Sequence, residues 1–190
     1  EDADGAVLAR VEETAGTGAW TEVPSTLYET LSLAQEMARQ SDGAFDVTSG
    51  TLTALWDAAR AAQHPPTAEE VAAAQSRVDW RALELRMRAA DDGEHPEVRL
   101  LRAGMKIDRG ALIKGLALDG IARSWAAGGT VNALADLGSS SILACGVNAE
   151  GEPWRIGVRN PRGESRSDLA ATVQLSDAML SASGDDERYF

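Results

Sequence analysis

The chain has 190 residues, 44% hydrophobic and 25% charged, with a net charge of −12 and a pI of about 4.6. That is enough for one domain with a sizeable core. It is too acidic for a nucleic-acid face or an anionic membrane surface, since both need clustered positive charge.

Residues 1–24 are mixed, punctuated by Gly16, Gly18 and Pro24. Thr26-x-x-Glu29 reads as a capping box opening a helix whose apolar stripe is Leu27, Leu31, Ala34 and Ala38. The helix stops at Ser41-Asp42-Gly43, with Gly43 as the left-handed cap. Residues 44–50 read as a short extended segment, and Thr51–Ala62 as a second helix carrying Trp56. His64-Pro65-Pro66 breaks that helix, and Thr67-x-x-Glu70 opens a third near 68–77. Two strands follow at 82–89 and 97–108, joined by the polar turn 91–94. A long helix covers 110–127 and ends at Gly128-Gly129. Further strands are placed at 130–136, 140–146, 154–159 and 170–175, separated by turn residues.

Helices first, then strands around one long helix, predicts an α+β or mixed α/β fold. The expected architecture is a single domain, 1–190, with helices packed on a mostly antiparallel mixed sheet. No apolar run is long enough to span a bilayer, so no transmembrane segment is expected. The chain opens on acidic residues without a methionine and closes on Arg188-Tyr189-Phe190. Both ends are therefore expected to be cut from a longer polypeptide.

The single cysteine, Cys145, cannot form an internal disulfide and is expected to be a buried, inert thiol. His64 and His95 both sit beside proline in polar stretches and are expected to be solvated. No Ser-His-Asp or Cys-His machinery can be composed from them, and no catalytic residue is assigned.

The most informative segment is Ile107-Asp108-Arg109-Gly110-Ala111-Leu112-Ile113-Lys114-Gly115-Leu116-Ala117-Leu118-Asp119. An apolar strand end, an acid and a glycine turn lead into a helix carrying one of only two lysines. A helix start attracts phosphate through its unpaired N–H groups and its dipole. A carboxylate beside it would repel phosphate unless a cation or a ligand donor intervenes. The segment points to a phosphate-bearing ligand with a divalent metal. The alternative is structural: Gly110 and Gly115 allow close helix packing, and Lys114 extends to solvent. The order of residues matches neither G-x-x-x-x-G-K-[ST] nor G-x-G-x-x-G.

Other segments join it in order. They are Ser41-Asp42-Gly43-Ala44-Phe45-Asp46-Val47-Thr48-Ser49-Gly50, Leu52-Thr53-Ala54-Leu55-Trp56, Ala135-Asp136-Leu137-Gly138-Ser139-Ser140 and Ser181-Ala182-Ser183-Gly184-Asp185. Together they resemble the FAD:protein FMN transferases, the ApbE-type flavin transferase family. Its pattern runs D-G-A-F-D-[VI]-T, P-L-x-x-L-W, D-x-G-x-x-[AG]-K-G-x-x-x-D, L-G-G and T-S-G-[DN]-Y. The chain resembles the central portion of that family.

The resemblance implies a magnesium-dependent transfer of FMN from FAD to a Thr or Ser hydroxyl of an acceptor protein, releasing AMP. The resemblance places Ala44, Phe45 and Asp46 at the FAD site, Asp108 at the flavin nucleotide and Lys114 near it. It places Ser181, Ser183 and Gly184 in the turn beside the ligand, and gives Ala111 a backbone carbonyl in the magnesium shell. The implied partners are FAD and an acceptor protein, with no nucleic acid. Hydrolysis of FAD to FMN and AMP, a flavin-binding role without transfer, and a purely structural role stand as alternatives. The chain departs from the pattern at Thr51 (proline in the family), Ser139 (glycine) and Asp186 (aromatic). The family's later H-[IV]-I-D-P-x-T-G and D-x-x-x-T segments, which carry a base histidine and side-chain metal ligands, have no counterpart in these 190 residues. Nor does its N-terminal Met-Gly-Thr strand.

Overall fold

The computed structural model describes residues 3–108, 110–165 and 167–184. The α+β class holds: the described residues contain five α-helices and strands that pair antiparallel, in three sheets rather than one. The chain divides into two units, residues 1–112 and 113–189, where a single domain was expected.

In the first unit α1 (Ala3–Glu13) precedes β1 (Thr21–Glu22) and α2 (Ser25–Gln40). Then come α3 (Gly50–Ala61), α4 (Ala68–Gln75), β2 (Leu83–Ala90) and β3 (Gly93–Leu100), and α5 (Gly110–Ala127) begins. The sheet order is β1-β3-β2, with Leu83 opposite Leu100 and Leu85 opposite Val98. The predicted stripe of α2 is the buried face: Leu27, Leu31, Ala34 and Ala38 are all inside. Leu31 joins Val11, Leu83, Val98, Leu100 and Met105 in the core. Burying one such side chain stabilises by roughly 1.5–3 kcal/mol.

α1 was not foreseen. Its charged residues hide Leu8 and Val11, which pack into the same core with Ala15 of the following turn. The Thr26 capping box does not form, because α2 starts at Ser25 behind Pro24 and Thr26 lies inside the helix. Pro24 is the N-cap and has no side-chain oxygen to accept the first helical N–H groups, nor an N–H for a glutamate to reach back to. At the other end Gly43 donates its N–H to Ala38 O (2.8 Å) and Asp42 to Arg39 O (3.3 Å). Asp42 (φ 50°) and Gly43 (φ 81°) both turn left-handed. The Thr67–Glu70 capping box is present, with both reciprocal hydrogen bonds.

The strand expected at 97–108 is β3, shifted to Gly93–Leu100 so that a two-residue turn closes the β2–β3 hairpin. His95 therefore lies in a strand. Its Nδ1 meets Glu22 Oε1 at 3.1 Å and its Nε2 meets Asp92 Oδ1 at 2.9 Å. Glu97, almost wholly buried, sits between Arg86 and Arg88 at 2.6 and 2.7 Å. These guanidiniums hold its carboxyl below the usual carboxylate range, the hydrogen bond to Arg88 foremost.

The second unit contains the rest of α5, β4 (Ala133–Asp136), β5 (Ser141–Cys145), β6 (Trp154–Arg159), β7 (Leu169–Leu175) and β8 (Ala178–Ser181). Its sheets are β4-β5-β8 and the hairpin β6-β7. Ala144, Ile156 and Leu175 form its core, flanked by Trp154, Val173 and Leu180. Cys145 ends β5 and is only half-buried, its Sγ lying 3.7 Å from the Val131 carbonyl oxygen. The expectation of a fully buried thiol fails because the strand stops there. No helix among the described residues is long and apolar enough to cross a membrane.

Candidate functional site

The loop after α2 is shaped by Asp46. Its Oδ1 accepts hydrogen bonds from the Thr48 N–H (2.8 Å) and hydroxyl (2.7 Å), and its Oδ2 accepts from the Trp80 N–H (2.9 Å). The buried Thr48 oxygen in turn accepts from the Asp79 N–H (2.9 Å). Such side-chain turns compete with strand pairing. Residues 44–50 accordingly form turns, not the extended segment expected. The Asp46 carboxylate faces its own loop, while Ala44 is exposed and Phe45 half-buried against the core.

This loop runs beside residues 106–108. Asp108 donates its N–H to Val47 O (2.7 Å), Gly50 donates to Lys106 O (3.2 Å), and Ser49 bridges Lys106 in parallel. A Cβ on Gly50 would lie 2.8 Å from the Ile107 carbonyl carbon, so the approach requires glycine. At the Asp108 carboxylate, Oδ2 accepts the Thr53 hydroxyl at 2.7 Å and Oδ1 accepts the Gly110 N–H at 2.8 Å. An acid thus stands at the start of α5, as the sequence required. Three of the quoted segments meet here: 41–50, 52–56 and the opening of 108–119.

The remaining segments meet in the second unit. Lys114 Nζ donates to Ser140 Oγ at 2.5 Å. The turn before β5 holds Gly138 (φ 67°) and Ser139 (φ 58°), and Asp136 Oδ1 accepts the Ser139 N–H at 2.6 Å. Ser139 occupies the position where the family pattern has glycine, and its left-handed backbone gives the physical reason. Ser181 pairs with Ser141 across β5 and β8, its Oγ 3.3 Å from that of Ser141. The Ala182 N–H donates to Ser140 O at 2.9 Å. Ser183 and Gly184 follow β8 and are exposed. Asp185 and Asp186 lie outside the described residues.

Ala111 lies in the first turn of α5, where a carbonyl already serves the i+4 N–H. Among the described residues no group of three or more His, Cys, Asp or Glu side chains converges. Asp108 and the Ala111 carbonyl are hard oxygens, the class magnesium takes, and such an ion fills the rest of its octahedral shell with waters and phosphate oxygens.

Thr53, Thr48, Asp79, Trp80 and Ser140 had no assigned role. Thr53 stood inside a quoted segment, yet its spacing from Asp108 carries no local signal. The Trp80 Nε1 is buried without a partner among the described residues, and a Cβ on Gly43 would lie 3.3 Å from it.

The ApbE family model matches residues 2–190. The chain is 32% identical over 195 residues to an FAD:protein FMN transferase of Treponema pallidum, covering 98% of this chain and 53% of that protein. The structure of the ApbE protein from Thermotoga maritima superposes with a TM-score of 0.74 at 30% identity, over 97% of this chain and 56% of that one. The flavin transferase ApbE from Vibrio cholerae matches with a TM-score of 0.73 at 22% identity, over 94% and 55%, which bears on the fold alone. The chain spans about half the length of the curated relatives it matches. With the family's segments gathered around Asp108 in one unit and Lys114 in the other, the chain belongs to the ApbE family.

Proposed function

We propose that this chain is the part of a magnesium-dependent flavin transferase that binds FAD and presents it to a Thr or Ser hydroxyl of an acceptor protein. The hydroxyl oxygen bonds to the FMN-side phosphorus and releases its proton to solvent, the pyrophosphate bond breaks, and AMP leaves with the bridging oxygen. Transfers of this kind depend on positioning and charge neutralisation more than on covalent chemistry by the protein. Magnesium, when bound, would neutralise the pyrophosphate.

The observation that carries this reading is the Asp108 carboxylate. It is fixed by Thr53 and Gly110 at the start of α5, beside the 44–50 loop. A carboxylate offers about four lone-pair sites and two are taken, so two remain for donors on the nucleotide. Lys114 supports the same reading, since its ammonium has three donors and Ser140 takes one. Asp46 supports it indirectly by shaping the loop that carries Ala44 and Phe45. Ser181, Ser183 and Gly184 are proposed beside the ligand, and the Ala111 carbonyl in the metal shell.

The test is titration with FAD, then an acceptor peptide containing threonine, with AMP and covalent flavin measured separately. Bound FAD, AMP release and labelled peptide are expected together. AMP without labelled peptide would identify a hydrolase, and intact bound FAD a binding protein. No FAD binding at all would end the reading.

A further inference from the structure

We propose that Glu12 is a positioning residue for flavin binding, holding the backbone from which Asp108 projects. The Ile107 N–H donates to Glu12 Oε1 at 3.0 Å, across 95 residues of sequence. Glu12 lies in the last turn of α1 and is half-buried, whereas its neighbour Glu13 is exposed.

Residues 105–108 form an extended rib. Met105 and Ile107 are buried, Lys106 is exposed and Asp108 half-buried, which is the alternation of a strand. Successive backbone groups of such a segment turn to opposite edges. One edge is filled by the 47–50 loop: Lys106 O accepts the Gly50 N–H at 3.2 Å, and the Asp108 N–H donates to Val47 O at 2.7 Å. The Ile107 N–H faces the other edge, where no strand pairs with the rib among the described residues. There the Glu12 carboxylate takes the place of a strand carbonyl.

Glu12 reaches from a fixed base. Leu8 and Val11 anchor α1 in the core, and just beyond it the Gly16 N–H donates to Leu100 O at 2.9 Å. A Cβ on Gly16 would lie 2.5 Å from the Ala103 N, so the chain leaving α1 is seated on the turn that leads into the rib. Ile107 is 7% exposed, so without Glu12 its N–H is a buried donor lacking an acceptor. Such a group is costly, and the rib must move to reach water. Asp108 is the next residue and moves with it. Thr53 and the Gly110 N–H orient the carboxylate, and Glu12 holds the backbone behind it.

The inference rests on the flavin reading, and two readouts keep their failures apart. Amide hydrogen exchange needs no FAD. Glu12→Ala should speed exchange at Ile107 at least about tenfold and leave the amides of β3 unchanged. In FAD titration Glu12→Ala should weaken binding about threefold to tenfold, while Glu12→Gln, whose amide oxygen still accepts, should stay within about twofold of wild type. Glu13→Ala removes the same charge one residue on and should change neither readout. In an Asp108→Ala background Glu12→Ala should have no further effect on FAD affinity, because Glu12 acts only through Asp108. A loss that adds to that of Asp108→Ala, an equal loss in Glu12→Gln or Glu13→Ala, or an unchanged Ile107 amide in Glu12→Ala would overturn the inference. So would a Glu12→Ala protein that binds FAD like wild type. Wild-type protein that binds no FAD would overturn the flavin reading and the positioning role with it, whatever the exchange shows.

Discussion

The Thr53 hydroxyl donates to Oδ2 of Asp108 at 2.7 Å, across 55 residues of sequence. One helix thereby fixes the rotamer of the acid that opens another. Thr53 is a positioning residue: on the proposed reading it acts on the nucleotide only through Asp108. Thr53→Val removes the hydroxyl but keeps the shape. It should weaken FAD binding about threefold to tenfold, since a hydrogen bond contributes about 0.5–1.5 kcal/mol net. Asp108→Ala should weaken it more, and Asp168→Ala, which removes the acceptor of the Ser165 N–H, should leave it unchanged. Thr53→Ser should restore wild-type affinity. FAD fluorescence titration gives all four values.

Asp46 should prove to be a stability residue first. Asp46→Ala leaves Thr48 and Trp80 without their acceptor. Losing the partner of inward-facing donors costs about 1–3 kcal/mol. Urea denaturation should show that loss with FAD absent, and FAD affinity should fall as the loop loosens.

The His95 clasp should make stability depend on pH. Hydrogen bonds to Glu22, then Asp92, raise the imidazole above its ordinary value. The folded state binds that proton more tightly than the unfolded chain. The stabilisation is therefore complete below about pH 6.5 and is lost as pH rises through the raised value. Asp92 is held low, chiefly by His95, so its share is lost as pH falls through its depressed value. Melting temperatures between about pH 4 and pH 9 should decline on the alkaline side. His95→Gln should flatten that decline. An unchanged slope in the variant would assign the pH dependence elsewhere.

Leu31 is 1% exposed and Leu33 is 50% exposed on the same helix. Leu31→Ala should cost about 2–5 kcal/mol in urea denaturation. Leu33→Ala should stay within about 0.5 kcal/mol of wild type, as for most surface changes.

Ser139 holds a φ of 58°, which costs a residue with a Cβ but not glycine. Ser139→Gly should stabilise by up to about 1 kcal/mol, after the added freedom of the unfolded glycine is deducted. Thermal unfolding of the two proteins measures it.

What the sequence determined by itself was local. The α2 stripe, the Thr67–Glu70 box, the extent of α5 and the strand at 154–159 all follow from neighbours within one or two turns, where side-chain periodicity and capping act. The order of five motifs also marked the family, because backbone-shaping residues such as Gly43 and Gly50 stand at fixed intervals. Tertiary structure decided the rest. α1 became a helix because a core was available for Leu8 and Val11. His95 entered a strand because the two-residue turn closed the β2–β3 hairpin, which set it between Glu22 and Asp92, and Asp46 turned inward because Trp80 supplied a distant N–H. Thr53 met Asp108, and Lys114 met Ser140, through contacts 55 and 26 residues apart. Such hydrogen bonds leave no periodic trace in the chain. Their partners are set by which elements pack together, and packing is a property of the whole core rather than of any window of sequence.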